Sequence, residues 1–86
     1  AMGMIWQTTS EAKFDATWRA RSAHLASGPT QAYSKIKSAL RASAQQGLEA
    51  QMLQEAAHQG ALSRTRDLKE GVLAFNDKRK PTFEGR

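Results

Sequence analysis

Three breaks divide the chain into four segments, and this division constrains the fold more than any other feature of the sequence. The breaks lie at Gly28-Pro29, at Gly47 and at Gly60. Glycine readily adopts the left-handed conformation that ends many helices, and proline is well tolerated at the first helical position. Each segment repeats its apolar residues at intervals that return to one helix face, and strand-like alternation is absent. The sequence therefore predicts an all-α fold of four short helices joined by tight turns.

Helix start and stop signals refine these segments. Thr8 and Glu11 have the spacing of a capping box, which predicts that the first helix begins at Thr8. Pro29 is expected to open the second helix and Gly60 to end the third, which starts near Gly47. Thr65 is expected to cap the fourth helix, and Pro81 to end it. The apolar faces consist of Phe14, Trp18 and Leu25 in the first helix; Tyr33, Ile36 and Leu40 in the second; Leu48, Met52, Leu53 and Ala56 in the third; and Leu68, Val72 and Phe75 in the fourth.

Composition excludes several classes of protein. The chain has no cysteine, so it has neither a disulfide framework nor a thiolate metal site, which agrees with a reducing, cytoplasmic location. We find no secretory leader and no run of eighteen apolar residues, and therefore expect no membrane association. A net charge of +5 suits an anionic partner, which could be a nucleic acid, a lipid or a phosphorylated cofactor.

Catalytic and metal-binding patterns are incomplete. The acidic residues are scattered over the helices, and Glu55-x-x-His58 is a single motif where a di-iron bundle needs two. His24 lacks a partner at ligand spacing, and neither a phosphate-binding glycine loop nor a nucleophile elbow is present. We therefore predict no catalytic residue and no metal site in this chain.

Two features near the C-terminus remain. Lys78, Arg79 and Lys80, with Arg64 and Arg66 nearby, could hold phosphate oxygens, although cations are also favoured at a helix C-terminus for electrostatic reasons alone. Gly71 interrupts the fourth helix at a cost of about 1 kcal/mol relative to alanine. We expect another part of the backbone to pass close to it.

These residues form a pattern found in a known family. The motifs are Leu25-Ala26-Ser27-Gly28-Pro29-Thr30, Lys37 and Asp67-x-x-Glu70-Gly71-x-x-Ala74-Phe75-x-x-Lys78-Arg79-x-Pro81-x-Phe83. Together they resemble the C-terminal part of the enoyl-CoA hydratase/isomerase (crotonase) family. The segment Gly3-Met4-Ile5-Trp6-Gln7 further resembles the phenylacetate-degradation branch, the ring-epoxide phenylacetyl-CoA isomerases.

The resemblance implies a piece of a larger acyl-CoA enzyme. Residues 1–7 would be the remaining strand of an N-terminal spiral core, and residues 8–86 the helical domain that covers the active site and builds trimers or hexamers. The core would hold the oxyanion hole and the acid/base groups for enolate chemistry, so this chain alone is expected to be inactive. Whether the parent hydrates or isomerises its substrate stays open.

The resemblance also implies one binding residue and one mode of assembly. Lys78 matches the family lysine that approaches the phosphates of coenzyme A, and no separate cofactor is implied. Family members often place an aromatic residue near the position of Gln59 to contact the adenine; Gln59 is not aromatic, so the resemblance does not carry this contact over. The apolar faces would pack on the core and on neighbouring subunits, so we expect the isolated chain to self-associate.

The alternative is a small basic helical module that binds nucleic acid or another protein. It rests on the net charge and on five arginines: Arg19, Arg21, Arg41, Arg64 and Arg66. These are spread over the chain instead of forming one stripe, and no recognition helix stands out. We therefore expect no nucleic-acid partner.

Overall fold

The computed structural model describes residues 3–86, which form four α-helices and no strand. The helices are α1 (Glu11–Ala26), α2 (Thr30–Ser43), α3 (Leu48–Leu62) and α4 (Arg66–Asn76). The all-α prediction is thus confirmed. Residues 3–7 are irregular, since a strand needs a neighbouring strand to pair with, and their assignment to a spiral core stays a prediction. Residues 1 and 2 of that segment lie outside the described residues.

The helices are arranged openly. The radius of gyration is 16.2 Å, whereas a compact domain of this length has a value of about 12 Å. Ala74 is the one buried apolar residue among residues 3–86, and large side chains such as Leu48 and Phe75 are 78% and 83% exposed. The four helices thus leave most of their large apolar side chains exposed.

The break between α1 and α2 depends on a side-chain contact. At the end of α1, the Ser27 amide donates to the Ala23 carbonyl and the Gly28 amide to the Leu25 carbonyl, each at 3.1 Å. Gly28 does not adopt the predicted left-handed conformation. Instead, a Cβ at this position would lie 2.7 Å from two carbon atoms of the Tyr33 ring, so only glycine leaves room for that ring.

Three predicted boundaries in α1, α2 and α3 are wrong. Ser10 occupies the N-cap of α1, which makes Glu11 the first helical residue and prevents the capping box, because that box needs its glutamate at the third position. Pro29 precedes α2 as its N-cap. α3 continues past Gly60, since a glycine inside a helix costs only about 1 kcal/mol.

α4 begins where the sequence predicts but ends earlier. Thr65 caps the helix as expected, with its hydroxyl oxygen accepting from the Leu68 amide at 3.2 Å. The helix ends at Asn76, earlier than the predicted stop at Pro81. Lys78 has a φ of 53°, and this left-handed residue turns the chain back before the proline is reached.

The most extensive helix–helix contact within residues 3–86 joins α2 to α3. Glutamine side chains tie the turn between them. The Gln46 amide donates to the side-chain oxygens of Gln51 and Gln54 at 2.7 and 2.8 Å, and the Gln51 amide donates to the Ala39 carbonyl at 3.1 Å. Hydrogen bonds thus fix this helical hairpin where large apolar contacts are few.

Candidate functional site

Residues 77–86, which we call the C-terminal strap, fold back along α4. The anchor is Asp67, which is 4% exposed. Its carboxylate accepts from the backbone amides of Glu84 and Gly85 at 2.7 and 2.9 Å, and its own amide donates to the Arg86 carbonyl at 2.9 Å. Charge-assisted bonds of this kind are stronger than neutral ones, so the end of the strap is held at the start of α4.

The end of the strap also contacts α2. The Gln31 side-chain amide donates to the Gly85 carbonyl at 3.3 Å. Gly85 has a φ of 79°, and a Cβ there would lie 2.9 Å from the Thr30 hydroxyl oxygen. Glycine is therefore favoured at this position both by its backbone conformation and by the close approach to α2.

A second carboxylate, Glu70, holds the start of the strap. The Arg79 guanidinium donates to its two oxygens at 2.6 and 3.1 Å, and the Thr82 amide donates to it at 3.0 Å. The hydrogen bond from Arg79 and that from Thr82 lower the pKa of Glu70 from its ordinary 4.5 to about 2. The same hydrogen bond, which Arg79 donates to Glu70, raises the pKa of Arg79. The pair is therefore fully ionised at neutral pH.

Lys78 lies in the turn that begins the strap, directly after α4. Its amide donates to the Phe75 carbonyl at 3.2 Å, and the amide of Arg79 donates to the Ala74 carbonyl at 3.0 Å. A left-handed conformation costs a non-glycine residue roughly 1–2 kcal/mol, so these bonds maintain a conformation that the lysine itself disfavours. The Lys78 side chain is exposed and makes no ion pair within residues 3–86.

The basic cluster predicted from the sequence is only partly assembled. Lys78 and Lys80 lie together in the strap, and Arg79 between them is bound to Glu70. Arg66 begins α4 and Lys78 follows its other end, which separates them by about 15 Å along the helix axis. The prediction that Arg64 and Arg66 lie near Lys78 is wrong, because α4 stands between them.

Two of the remaining arginines contact side chains of their own neighbourhood. On α1, Arg19 pairs with Asp15 at 2.8 Å and its guanidinium lies 4.8 Å from the Trp18 ring. Arg21 lies over the Trp6 ring at 3.7 Å. These contacts engage the guanidinium groups with neighbouring side chains, so this geometry does not favour a nucleic-acid interface.

An apolar groove of about 440 Å³ runs between α2, α3, α4 and the strap. Its apolar lining includes Ala32, Leu62, Leu68, Val72, Phe75 and Phe83. Gly71 also lies in this groove, where a Cβ would be 3.7 Å from the Phe83 ring, an ordinary contact. The expectation of a close backbone at Gly71 is wrong, since the neighbouring group is an aromatic side chain. Gln59 lines the same groove, which therefore offers an amide at that place.

The predicted Glu55-x-x-His58 pair lines a separate shallow surface with Lys35 and Ile36. No hydrogen bond joins the two side chains, and residues 3–86 contain no group of three potential metal-ligating side chains. In the same part of the chain, no helix is both long and apolar enough to cross a lipid bilayer.

Asp67 anchors the end of the strap, a role that its position near the start of α4 does not predict. One signal was available, since Asp67-x-x-Glu70 places two carboxylates on the same face of a helix. Their partners lie 9 to 18 residues further along the chain, beyond the reach of helix periodicity.

The fold and this site define a helical, carboxylate-anchored module that presents lysines in its C-terminal strap. The family model for enoyl-CoA hydratase/isomerase matches residues 1–86, and the chain belongs to that family. The resemblance of the sequence motifs to this family is thus confirmed.

Three relatives illustrate the similarity. A "Probable enoyl-CoA hydratase" of Rhodobacter capsulatus is 46% identical over 99% of this chain and 33% of its own length. The 1,2-epoxyphenylacetyl-CoA isomerase of Escherichia coli K12 is 36% identical over 98% of this chain and 32% of its own. A crystallised Mycobacterium abscessus protein of the same family description superposes with a TM-score of 0.87 and 36% identity, over 91% of this chain and 30% of its own. The chain spans about a third of the length of the curated relatives it matches.

Proposed function

We propose that this chain is the C-terminal helical part of an enzyme that acts on acyl-CoA thioesters through an enolate. The two curated relatives carry different reaction names, hydratase and isomerase, and both names specify a coenzyme A thioester. The oxyanion hole and the acid/base groups would come from an N-terminal spiral core. The chain would then supply active-site cover, a contact to coenzyme A and subunit assembly, and would be inactive alone.

The observation that carries this proposal is the exposure of the apolar helix faces. Trp18 on α1, Leu40 on α2 and Met52 on α3 are 44%, 68% and 61% exposed. Apolar surface costs about 25 cal/mol per Å² when it stays in water, so such faces normally cover another surface. The core and neighbouring subunits of a homo-oligomer are the surfaces we propose, and the isolated chain would bury these faces by self-association.

The contact to coenzyme A is assigned to Lys78. Among the described residues its exposed ammonium has no carboxylate partner in an ion pair, whereas Arg79 beside it is bound to Glu70. A lysine ammonium is a compact charge that can approach a phosphate from several directions. Lys78 would bind the phosphates of the coenzyme in substrate and transition state alike.

Steady-state kinetics of the complete gene product tests this assignment. Lys78→Ala should raise the KM for crotonyl-CoA about fivefold and leave kcat nearly unchanged, because an exposed ion pair contributes up to about 1 kcal/mol and this one is shared by ground and transition states. Lys13→Ala on α1 removes the same charge elsewhere and should change neither value. If the KM of Lys78→Ala equals that of the unmodified enzyme, Lys78 does not contact the coenzyme.

A further inference from the structure

We propose that Glu70 is a positioning residue for Lys78, acting through Arg79 to hold the lysine where it meets the coenzyme phosphates. This inference rests on the proposed function, since it requires that Lys78 contacts coenzyme A. It adds a role for a carboxylate that lies on the helix before the binding residue and does not itself bind the coenzyme.

The first support is the location of Lys78 between two residues whose side chains are connected. Asp77 precedes it and Arg79 follows it, and the Arg79 guanidinium lies 3.5 Å from the Asp77 carboxylate. The same guanidinium is held by both oxygens of Glu70. The backbone on each side of Lys78 is therefore tied to α4.

The second support is the backbone of Lys78 itself. It is the one non-glycine residue with a positive φ among residues 3–86. Such conformations persist where the surroundings over-determine them, and they concentrate at binding and switch sites. Glu70 supplies much of that constraint, because it also accepts the Thr82 amide and so holds the chain on the far side of the turn.

The third support is the electrostatics of the turn. Glu70 neutralises Arg79, so an approaching phosphate meets Lys78 and Lys80 as the uncompensated charges of this turn. Without Glu70, the Arg79 side chain would be released and the turn at Lys78 would relax to conformations that a lysine prefers. The ammonium would then occupy the binding position for a smaller fraction of the time.

A double-mutant cycle on the complete gene product tests the inference, with coenzyme A and pantetheine as the two probes in calorimetric titrations. Pantetheine lacks the nucleotide and its phosphates. Lys78→Ala should weaken coenzyme A binding about fivefold and Glu70→Gln about threefold, while the double variant should bind like Lys78→Ala alone. Pantetheine binding should be unchanged in all three. Glu84→Gln is the matched control, since within residues 3–86 its carboxylate pairs only with Arg86, and it should bind both probes normally.

The possible results separate the inference from the proposed function. If Lys78→Ala weakens coenzyme A binding but Glu70→Gln does not, the role of Glu70 is overturned and the Lys78 contact stands. Additive effects of the two substitutions in the double variant would have the same meaning. If Glu70→Gln weakens the binding of pantetheine as much as that of coenzyme A, the substitution damages the protein in general, and the role of Glu70 is also overturned. No effect of Lys78→Ala would remove the Lys78 contact and the inference together. Should Glu70→Gln fail to fold, Arg79→Gln breaks the same pair and must show the same lack of additivity.

Discussion

Replacing Asp67 with asparagine should release the end of the C-terminal strap. Both carboxylate oxygens accept backbone amides, one from Glu84 and one from Gly85. Asparagine keeps the shape of the side chain but offers one oxygen and one NH₂ group. One of the two backbone amides would therefore face another donor instead of an acceptor.

The size of the effect follows from these two bonds. Hydrogen bonds to a charged group contribute about 1.5–3 kcal/mol each, and an unsatisfied buried N–H costs about 1–3 kcal/mol. Asp67 is 4% exposed, so water cannot replace the lost partner while the strap stays in place. The strap can instead detach into solvent, which limits the loss to the stability of this local contact. We expect the free energy of opening to fall by about 2 kcal/mol.

Amide hydrogen exchange of the complete gene product measures this opening directly. A loss of about 2 kcal/mol corresponds to roughly 30-fold faster exchange at Glu84 and Gly85. Asp77→Asn is the matched control: its side chain is 62% exposed and makes a longer 3.5 Å contact, so exchange at these two amides should not change. Equal exchange at Glu84 and Gly85 in Asp67→Asn and in the unmodified protein would refute the anchoring role of Asp67.

Two further predictions concern the same region. Gly71→Ala should raise the free energy of unfolding by up to about 1 kcal/mol, because alanine favours the helix and its Cβ would meet the Phe83 ring at an ordinary 3.7 Å. Gly85→Ala should lower the free energy of unfolding by about 1–2 kcal/mol, because Gly85 has a φ of 79°, which alanine disfavours. Urea denaturation checks both, and a destabilised Gly71→Ala variant would mean that this face is more crowded than the contact to Phe83 indicates. The pKa of Glu70 is lowered from 4.5 to about 2, so its stabilisation of the strap is complete above pH 4.5 and is lost as the pH falls toward 2. The exchange rate of the Thr82 amide, corrected for intrinsic rates, should rise over this interval in the unmodified protein but not in Glu70→Gln, and a flat profile in both would contradict it.

The helices could be predicted because their signals are local. Gly28-Pro29 and Gly47 separate segments whose apolar spacing has a helical period, and Thr65 caps α4 as its residue type indicates. The errors at Thr8 and Gly60 have the same origin, since each local signal competes with an alternative of similar energy. Ser10 takes the N-cap position without a capping hydrogen bond from its side chain, and one glycine is too weak a break to stop a helix.

The strap could not be predicted from the sequence, for a different reason. Its residues show no periodicity, and it is held by backbone amides, which every residue except proline possesses. The residue types at positions 82–86 do not indicate that their backbone N–H groups will donate to Asp67 or Glu70. Similarity to the family identifies the motif but not the contacts between α4 and the strap. The left-handed turn at Lys78 is therefore visible only in the structure.

The Asp67-x-x-Glu70-Gly71 motif can be understood as one structural device. The two carboxylates lie one turn apart on α4, and each holds a different part of the strap, Asp67 its end and Glu70 its beginning. Gly71 follows on the same side, where the Phe83 ring lies close enough that a Cβ would meet it at an ordinary 3.7 Å, so the ring packs beside α4 between the two anchors. A chain fixed at both ends and packed in the middle cannot shift along the helix, which is why the turn that carries Lys78 can keep a conformation that lysine disfavours. The two carboxylates of this motif need no catalytic role to explain their presence, because each holds a separate part of the strap.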